Sequence, residues 1–293
     1  MNSIPSPVPV PDRVLGGRLR RWVAAFGMSG IVGLLILAFW LLAALFGPAL
    51  LSHQLAGDGG SEVFAPMSAA HWLGTDYLGR DMLLRVIDGA RYTVGVALVA
   101  TLLASGTGTT LALLAAASDK RLDATLSRAL DTLTAIPSTM FALILVAGFG
   151  SSVGMLVFAA ALIYVPGAYR IARSLAVNIN ALDYVTVART RGEGTLYIMR
   201  HEILPNILGP VLADLGLRFV YVVLLLASLS FLGLGIQPPA ADWGSLVREN
   251  IDALPDGGAA VLAPALAIAT LTIAVNLVID NLLGRSARER AGR

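Results

Sequence analysis

Residues 182–206 read LDYVTVARTRGEGTLYIMRHEILPN, a polar and basic stretch set between blocks that are almost wholly apolar. A turn between two helices needs only about four residues, so this insert is far longer than a connection requires. Asn180 is placed to cap a helix whose third residue is Asp183, and Gly192 is placed to stop it. Thr195 can open a second segment in which Leu196, Met199 and Ile203, spaced by three and four, share one face before Pro205. The pattern predicts two short helices lying across the mouth of a membrane domain. Such a hairpin could rest its arginines on anionic headgroups, or it could be a stiff peg for a partner's groove. Periodicity alone does not choose between them.

Working outward, the chain has 293 residues, 56% hydrophobic and only 14% charged. A bilayer core of about 30 Å is crossed by about 20 apolar helical residues. The first span, 23–50, lies between Arg21 and His53 and exceeds the usual signal-peptide core of about 7–15 residues, which predicts a retained helix. A second follows Arg91 as TVGVALVATLLASGTGTTLALLAAAS, up to Asp119. Residues 129–173 are too long for one crossing, and GFGSS at 148–152 supplies a turn, so two helices are expected there. A fifth span runs through 211–235 and a sixth through 261–283. The expected fold class is an all-α integral membrane protein with six transmembrane helices.

Lys and Arg placement orients the chain. With the N-terminus inside, cytoplasmic segments hold Arg13, Arg18, Arg20, Arg21, Lys120, Arg121, Arg128, Arg170, Arg173, Arg189, Arg191, Arg200, Arg285, Arg288, Arg290 and Arg293. The other side holds Arg80, Arg85, Arg91 and Arg248. Both termini (tails 1–22 and 285–293) and the 180–206 insert are therefore expected in the cytoplasm. Segments 51–90 and 236–260 face outward.

Several chemistries are not expected. There is no cysteine, and His53, His71 and His201 are scattered, so no metal is expected. Lys120 is the only lysine and is flanked by Asp119 and Arg121, which excludes a phosphate-binding P-loop. GTGTT at 106–110 lies inside an apolar span, where small residues permit close helix packing. Nothing assembles a hydrolytic triad, no basic stripe with interleaved aromatics suggests nucleic acid, and no cofactor is expected. The chain reads as non-catalytic, so any energy source must sit on another chain.

The quoted stretch resembles the coupling loop of ABC-importer permeases, which runs Glu-Ala-Ala, three residues, Gly, and then a run ending in Leu-Pro. Here Tyr184 precedes Thr186, Val187 and Ala188, followed by Gly192 and then Leu204, Pro205 and Asn206. Thr186 stands where the family has its acid and Val187 where it has its first alanine, which removes any salt bridge from position 186 to the ATPase. HWLGTDYLGRD at 71–81 with Arg85, LTAIPS at 133–138, SLSFLGLGIQPP at 228–239, DWG at 242–244, and Asn276 with Asp280 are similar to the C-type permease subunit of dipeptide, oligopeptide and nickel importers. The resemblance spans about residues 24–284. It implies a type I importer permease fold in the bacterial inner membrane. It also implies a second homologous permease subunit, two ATP-binding-cassette ATPase chains, and an external solute-binding protein. Di- and oligopeptides are the implied solutes, with a nickel chelate as the alternative. A self-sufficient secondary transporter is the alternative of another class, though it would show paired broken helices and inverted repeats.

Ionisable groups inside a span need a partner or a watery path. Asp214 and Arg218, spaced i, i+4, suit a bridge that clasps a neighbouring helix. Asn276 and Asp280 share a face, which favours helix packing or gating. Asp131, Pro137 and Ser138 mark the start of the third span, where proline can loosen a gate. In the outward segments Asp76, Arg80, Asp81, Gln237 and Trp243 are candidates for contact with the solute-binding protein, or else belong to a solvated lid.

Overall fold

The computed structural model describes residues 27–57, 60–256 and 258–291, with backbone alone for 52–57, 256 and 283–291. The basic N-terminal lead and Arg293 lie outside the described residues, as do the side chains of His53, Arg285, Arg288 and Arg290.

The chain is all-helical. In order it forms α1 (Met28–Gly57), α2 (Met82–Ala117), α3 (Lys120–Thr134), α4 (Ser138–Phe149), α5 (Val153–Asn180), α6 (Asp183–Thr190), α7 (Thr195–Phe231), α8 (Trp243–Glu249), a 3-10 turn over Ile251–Asp256, and α9 (Ala259–Ala291). Among the described residues, five helices are long and apolar enough to cross a membrane: α1 over 28–51, α2, α5, α7, and α9 over 259–282. The pair α3 and α4, bent by 81° at its break, passes the same test when counted as one broken span, which gives up to six.

This broken pair stands where one helix beginning near residue 129 is expected. The helix begins at Lys120, where Asp119 accepts a cap bond from the Leu122 amide at 3.1 Å, and it ends at Thr134. Pro137 has no amide proton and disfavours helical backbone in the residue before it, so the chain turns there and α4 restarts at Ser138. The twelve residues of α4 reach about 18 Å at 1.5 Å per residue, short of a full crossing. The expected turn at GFGSS is present, with Gly150 at φ +91° between α4 and α5.

The centre of the bundle is the α2–α5 contact, flanked by α7, with α1 and α9 packed together outside. Small residues set its spacing. A Cβ on Gly108 would come 2.6 Å from Ala168 Cβ and 2.9 Å from the Val165 carbonyl, so this glycine lets the two helices touch. Ala97, Ala100, Ala104 and Ala112 continue the same buried face of α2. The helix starts earlier than the span expected after Arg91. Asp81 caps it by accepting from the Leu84 amide at 3.1 Å, which brings Arg85, Asp88 and Arg91 onto the helix.

Candidate functional site

At one end of the bundle α5, α6 and the first turns of α7 form a hairpin over the ends of α2 and α5. Its inner surface is apolar: Val185 and Ala188 of α6 are fully buried with Ile198, Ile203 and Ile207 against Leu113, Ala116, Ala117 and Ala176. Val185 and Ala188 are three apart, so they share the inner face of a helix. Thr186 and Val187 point outward, Val187 with 53% of its surface exposed. Tyr184, Leu196 and Tyr197 are exposed as well.

Two expectations for this hairpin are corrected. Asn180 does not cap α6; it is the last residue of α5, and Leu182 takes the cap position without a side-chain bond. Leu196 is not on the packed face but 74% exposed. The helix takes a π turn over Ile198–Ile203, and the wider turn rotates the face so that Ile198 and Ile203, five apart, both point inward. Gly192, at φ +88°, ends α6 as expected, its amide bonding the Arg189 carbonyl at 3.0 Å.

Arg189 was visible in the sequence only as one more positive charge. Its Nη2 donates to the Ala117 carbonyl at 3.1 Å and to Asn180 Oδ1 at 2.9 Å. The Ala117 carbonyl belongs to the last turn of α2, where carbonyls lack helical partners and a cation is favoured. One side chain thus ties α6 to the ends of both central helices. Across the hairpin, Asn206 donates from Nδ2 to the Tyr184 hydroxyl at 3.1 Å and to the Glu202 carbonyl at 2.6 Å, joining α6 to α7. Leu204 is half-buried and Pro205 exposed at this junction.

The intramembrane polar residues divide. Arg218, 5% exposed, bonds Asp214 Oδ2 through Nη2 at 2.6 Å and donates from Nη1 to the Tyr164 carbonyl of α5 at 3.0 Å. Gly167 leaves the room, since a Cβ there would lie 2.8 Å from Nη1. The pair clasps α7 to α5, with a buried charge fully paired. Asn276 is half-buried and Asp280 exposed. The polar link in this part of α9 is instead made by Asn281, which accepts from the Gly27 amide at 3.0 Å and donates to Ser29 Oγ at 3.1 Å. Asp131 lies on α3, exposed and 3.1 Å from Arg170 Nη2, and Pro137 is the residue capping α4 at the bend.

At the opposite end, residues 60–81 and 233–256 build a platform. Here the structure divides the contact candidates. Asp76 is fully buried and organises its own loop, accepting from the amides of Leu78 and Arg80 at 2.9 Å and from Arg80 Nε at 2.7 Å. Asp81 is the α2 cap and also meets His71 Nδ1 at 2.9 Å. Trp243 is fully buried, donating to the Val86 carbonyl at 2.8 Å and packing edge-on against Trp40. Gln237 is exposed, and Arg80 is partly so. The reason is pairing between segments far apart in sequence: Arg85 donates to the Pro239 carbonyl at 3.1 Å, and Asn250 Oδ1 accepts from the Tyr77 amide at 3.0 Å. Asp242 gathers this end, accepting from Ser230 Oγ, the Ile236 amide and Ser245 Oγ on one oxygen and from the Gly244 and Ser245 amides on the other.

Among the described residues no group of His, Cys, Asp and Glu could hold a metal ion. What the arrangement offers is mechanical: a rigid hairpin clipped to the helix ends at one side, and a braced platform at the other.

Residues 108–288 match the family described as binding-protein-dependent transport system inner membrane component. A dipeptide transport system permease protein of Alkalihalophilus pseudofirmus is 34% identical over 86% of this chain and 83% of its own length. A di/tripeptide transport system permease protein of Pseudomonas aeruginosa is 32% identical over 94% of each. A glutathione transport system permease protein of Pectobacterium atrosepticum is 34% identical over 73% of this chain and 71% of its own.

Proposed function

The chain belongs to the binding-protein-dependent transport system inner membrane components, and from that premise we propose that it forms half of the pore of an ATP-driven importer of short peptides. It is a multi-pass inner-membrane permease. In this reading the hairpin end is cytoplasmic and the platform end external, as the sixteen-to-four division of basic residues requires. A second permease supplies the other half of the pore, two ATPase chains dock on the hairpins, and a solute-binding protein delivers peptide to the platform. Peptide is favoured because two of the relatives above carry dipeptide or di/tripeptide in their names.

The observation that carries the mechanical part is the division of the hairpin's surface. A helix resting on a bilayer turns its apolar face to lipid. Here that face, Val185, Ala188, Ile198 and Ile203, is spent on the protein's own helix ends. Arg189, though exposed, engages its guanidinium with the Ala117 carbonyl and Asn180. What remains outside is a compact knob bearing Tyr184, Val187, Leu196 and Tyr197, the shape and chemistry of a peg for a protein groove. Thr186, uncharged in place of the family's acid, leaves apolar contact as the main grip.

The test is Val187→Glu on the outer face. It leaves the chain inserted and its melting unchanged, and it strips ATPase subunits from the purified complex. Retained ATPases with normal uptake would contradict the docking role.

A further inference from the structure

Residues 120–134 form an amphipathic helix strapped to α5 by three polar rungs. Asp123, Ser127 and Asp131 stand at i, i+4 and i+8, one face of α3. Asp123 holds Arg173 with both carboxylate oxygens, through Nε and Nη2. Ser127 Oγ shares a hydrogen bond of 2.8 Å with the hydroxyl of Tyr169, a buried residue, and Asp131 Oδ1 accepts from Arg170 Nη2 at 3.1 Å. The three partners fall within a little more than one turn of α5. The apolar seam beneath is thin: Leu130 is the α3 residue that is buried, with Leu126 and Leu133 partly so. The rungs, more than the seam, decide which part of α5 this helix follows.

Both ends of α3 are joined to parts that would move or gate. Its first residue, Lys120, is three residues from Ala117, whose carbonyl Arg189 of α6 holds. Its last leads through the Ala135–Pro137 break, bent by 81°, into α4. The helix it is strapped to, α5, runs through Ala181 and Leu182 directly into α6. A displacement of the hairpin therefore reaches α3 by two routes, through the α2 terminus and through α5. The extended backbone at Pro137 gives a natural hinge beyond it.

Resting on the reading of the hairpin as the ATPase-coupled element, we propose that α3 is the strut that carries hairpin motion to α4. Asp123, Ser127 and Asp131 are its positioning residues. The bidentate rung dominates, because a two-point guanidinium–carboxylate contact fixes orientation as well as distance. Asp131–Arg170, with both side chains largely exposed, contributes less.

The experiment uses the whole complex in proteoliposomes, with ATP hydrolysis and uptake of a labelled dipeptide read together. Asp123→Asn lowers uptake about 5- to 150-fold, the range of ordinary coupling energies, while stimulated hydrolysis stays within about twofold of the parent. ATP spent per solute rises by the same factor. Arg173→Asp alone behaves alike, and the exchanged pair D123R/R173D regains uptake. Normal uptake in Asp123→Asn, or a proportional fall of uptake and hydrolysis in every variant, overturns the strut. A parent complex without ATP-dependent uptake would instead defeat the pore reading, so the two failures are separable. Should the exchanged pair pack poorly, nitroxide labels at Met140 on α4 and Ile273 on α9 decide, since the chain has no native cysteine. The distance between them changes with nucleotide in the parent and stays fixed in Asp123→Asn; the same change in both refutes the proposal.

Discussion

Replacing Arg189 by alanine should loosen α6 and nothing else. The side chain makes two hydrogen bonds, 3.1 Å to the Ala117 carbonyl and 2.9 Å to Asn180 Oδ1. Because Arg189 is exposed, each is worth about 0.5–1.5 kcal/mol rather than the larger value of a buried charged bond, so the pair holds α6 by about 1–3 kcal/mol. At about 1.4 kcal/mol per tenfold, local opening of α6 becomes about 5- to 150-fold more frequent. Hydrogen exchange of the protein in nanodiscs reads this directly. The amides of Thr186, Arg191 and Glu193, bonded to Leu182, Val187 and Ala188, exchange faster by that factor, while α2 and the platform keep their rates. Arg189→Lys falls between, because a single ammonium does not reproduce the planar fork. Unchanged exchange in α6, or a uniform rise along the chain, would refute the clamp.

Two further outcomes concern the platform. Asp242→Asn turns an amide NH2 toward donors that now find a carboxylate oxygen, leaving at least one buried backbone amide unsatisfied, Ile236 or the Gly244 and Ser245 pair; stability in a detergent-denaturant titration falls by at least about 1–3 kcal/mol. Burial pushes the Glu249 carboxyl above its usual range, against the opposing pull of Arg85 and Arg80. The folded state therefore holds this proton more tightly than the unfolded chain. Its contribution to stability is complete below the unfolded carboxyl value and is lost as pH rises through the raised one. Glu249→Gln flattens that part of the melting-temperature profile; an unaltered profile would show that Glu249 is not its source.

The crossings were legible because a span needs only length and apolarity: the segments around 28–51, 82–117, 153–180 and 259–282 carry both. Gly192 was legible because a positive φ leaves little choice of residue. The charged run KRLDATLSRALDTLT reads as a cytoplasmic basic segment, 120–128, leading into a span from 129, although the spacing of Leu126, Leu130 and Leu133 continues one helix across that boundary. Position, not pattern, hid it. The π turn that sends Leu196 outward has no comparable signal, since Leu196, Met199 and Ile203 fit an ordinary α-helix just as well. The acids of the platform misled for a different reason. Asp76 and Asp242 look like surface residues by composition, and only long-range partners such as Tyr77 with Asn250 show that the two segments fold onto one another. Arg189, too, became a clamp only once Ala117 and Asn180 stood beside it.

One wall of a pore moved by ATPases gripping α6 keeps its companions when the tagged chain is purified gently from its own membrane, and mass spectrometry beside the Val187→Glu variant identifies them. Two ATP-binding-cassette chains and a second multi-span permease accompany the parent, and the ATPases alone are lost from the variant. A solitary chain or homo-oligomer that transports without ATP would contradict this assembly.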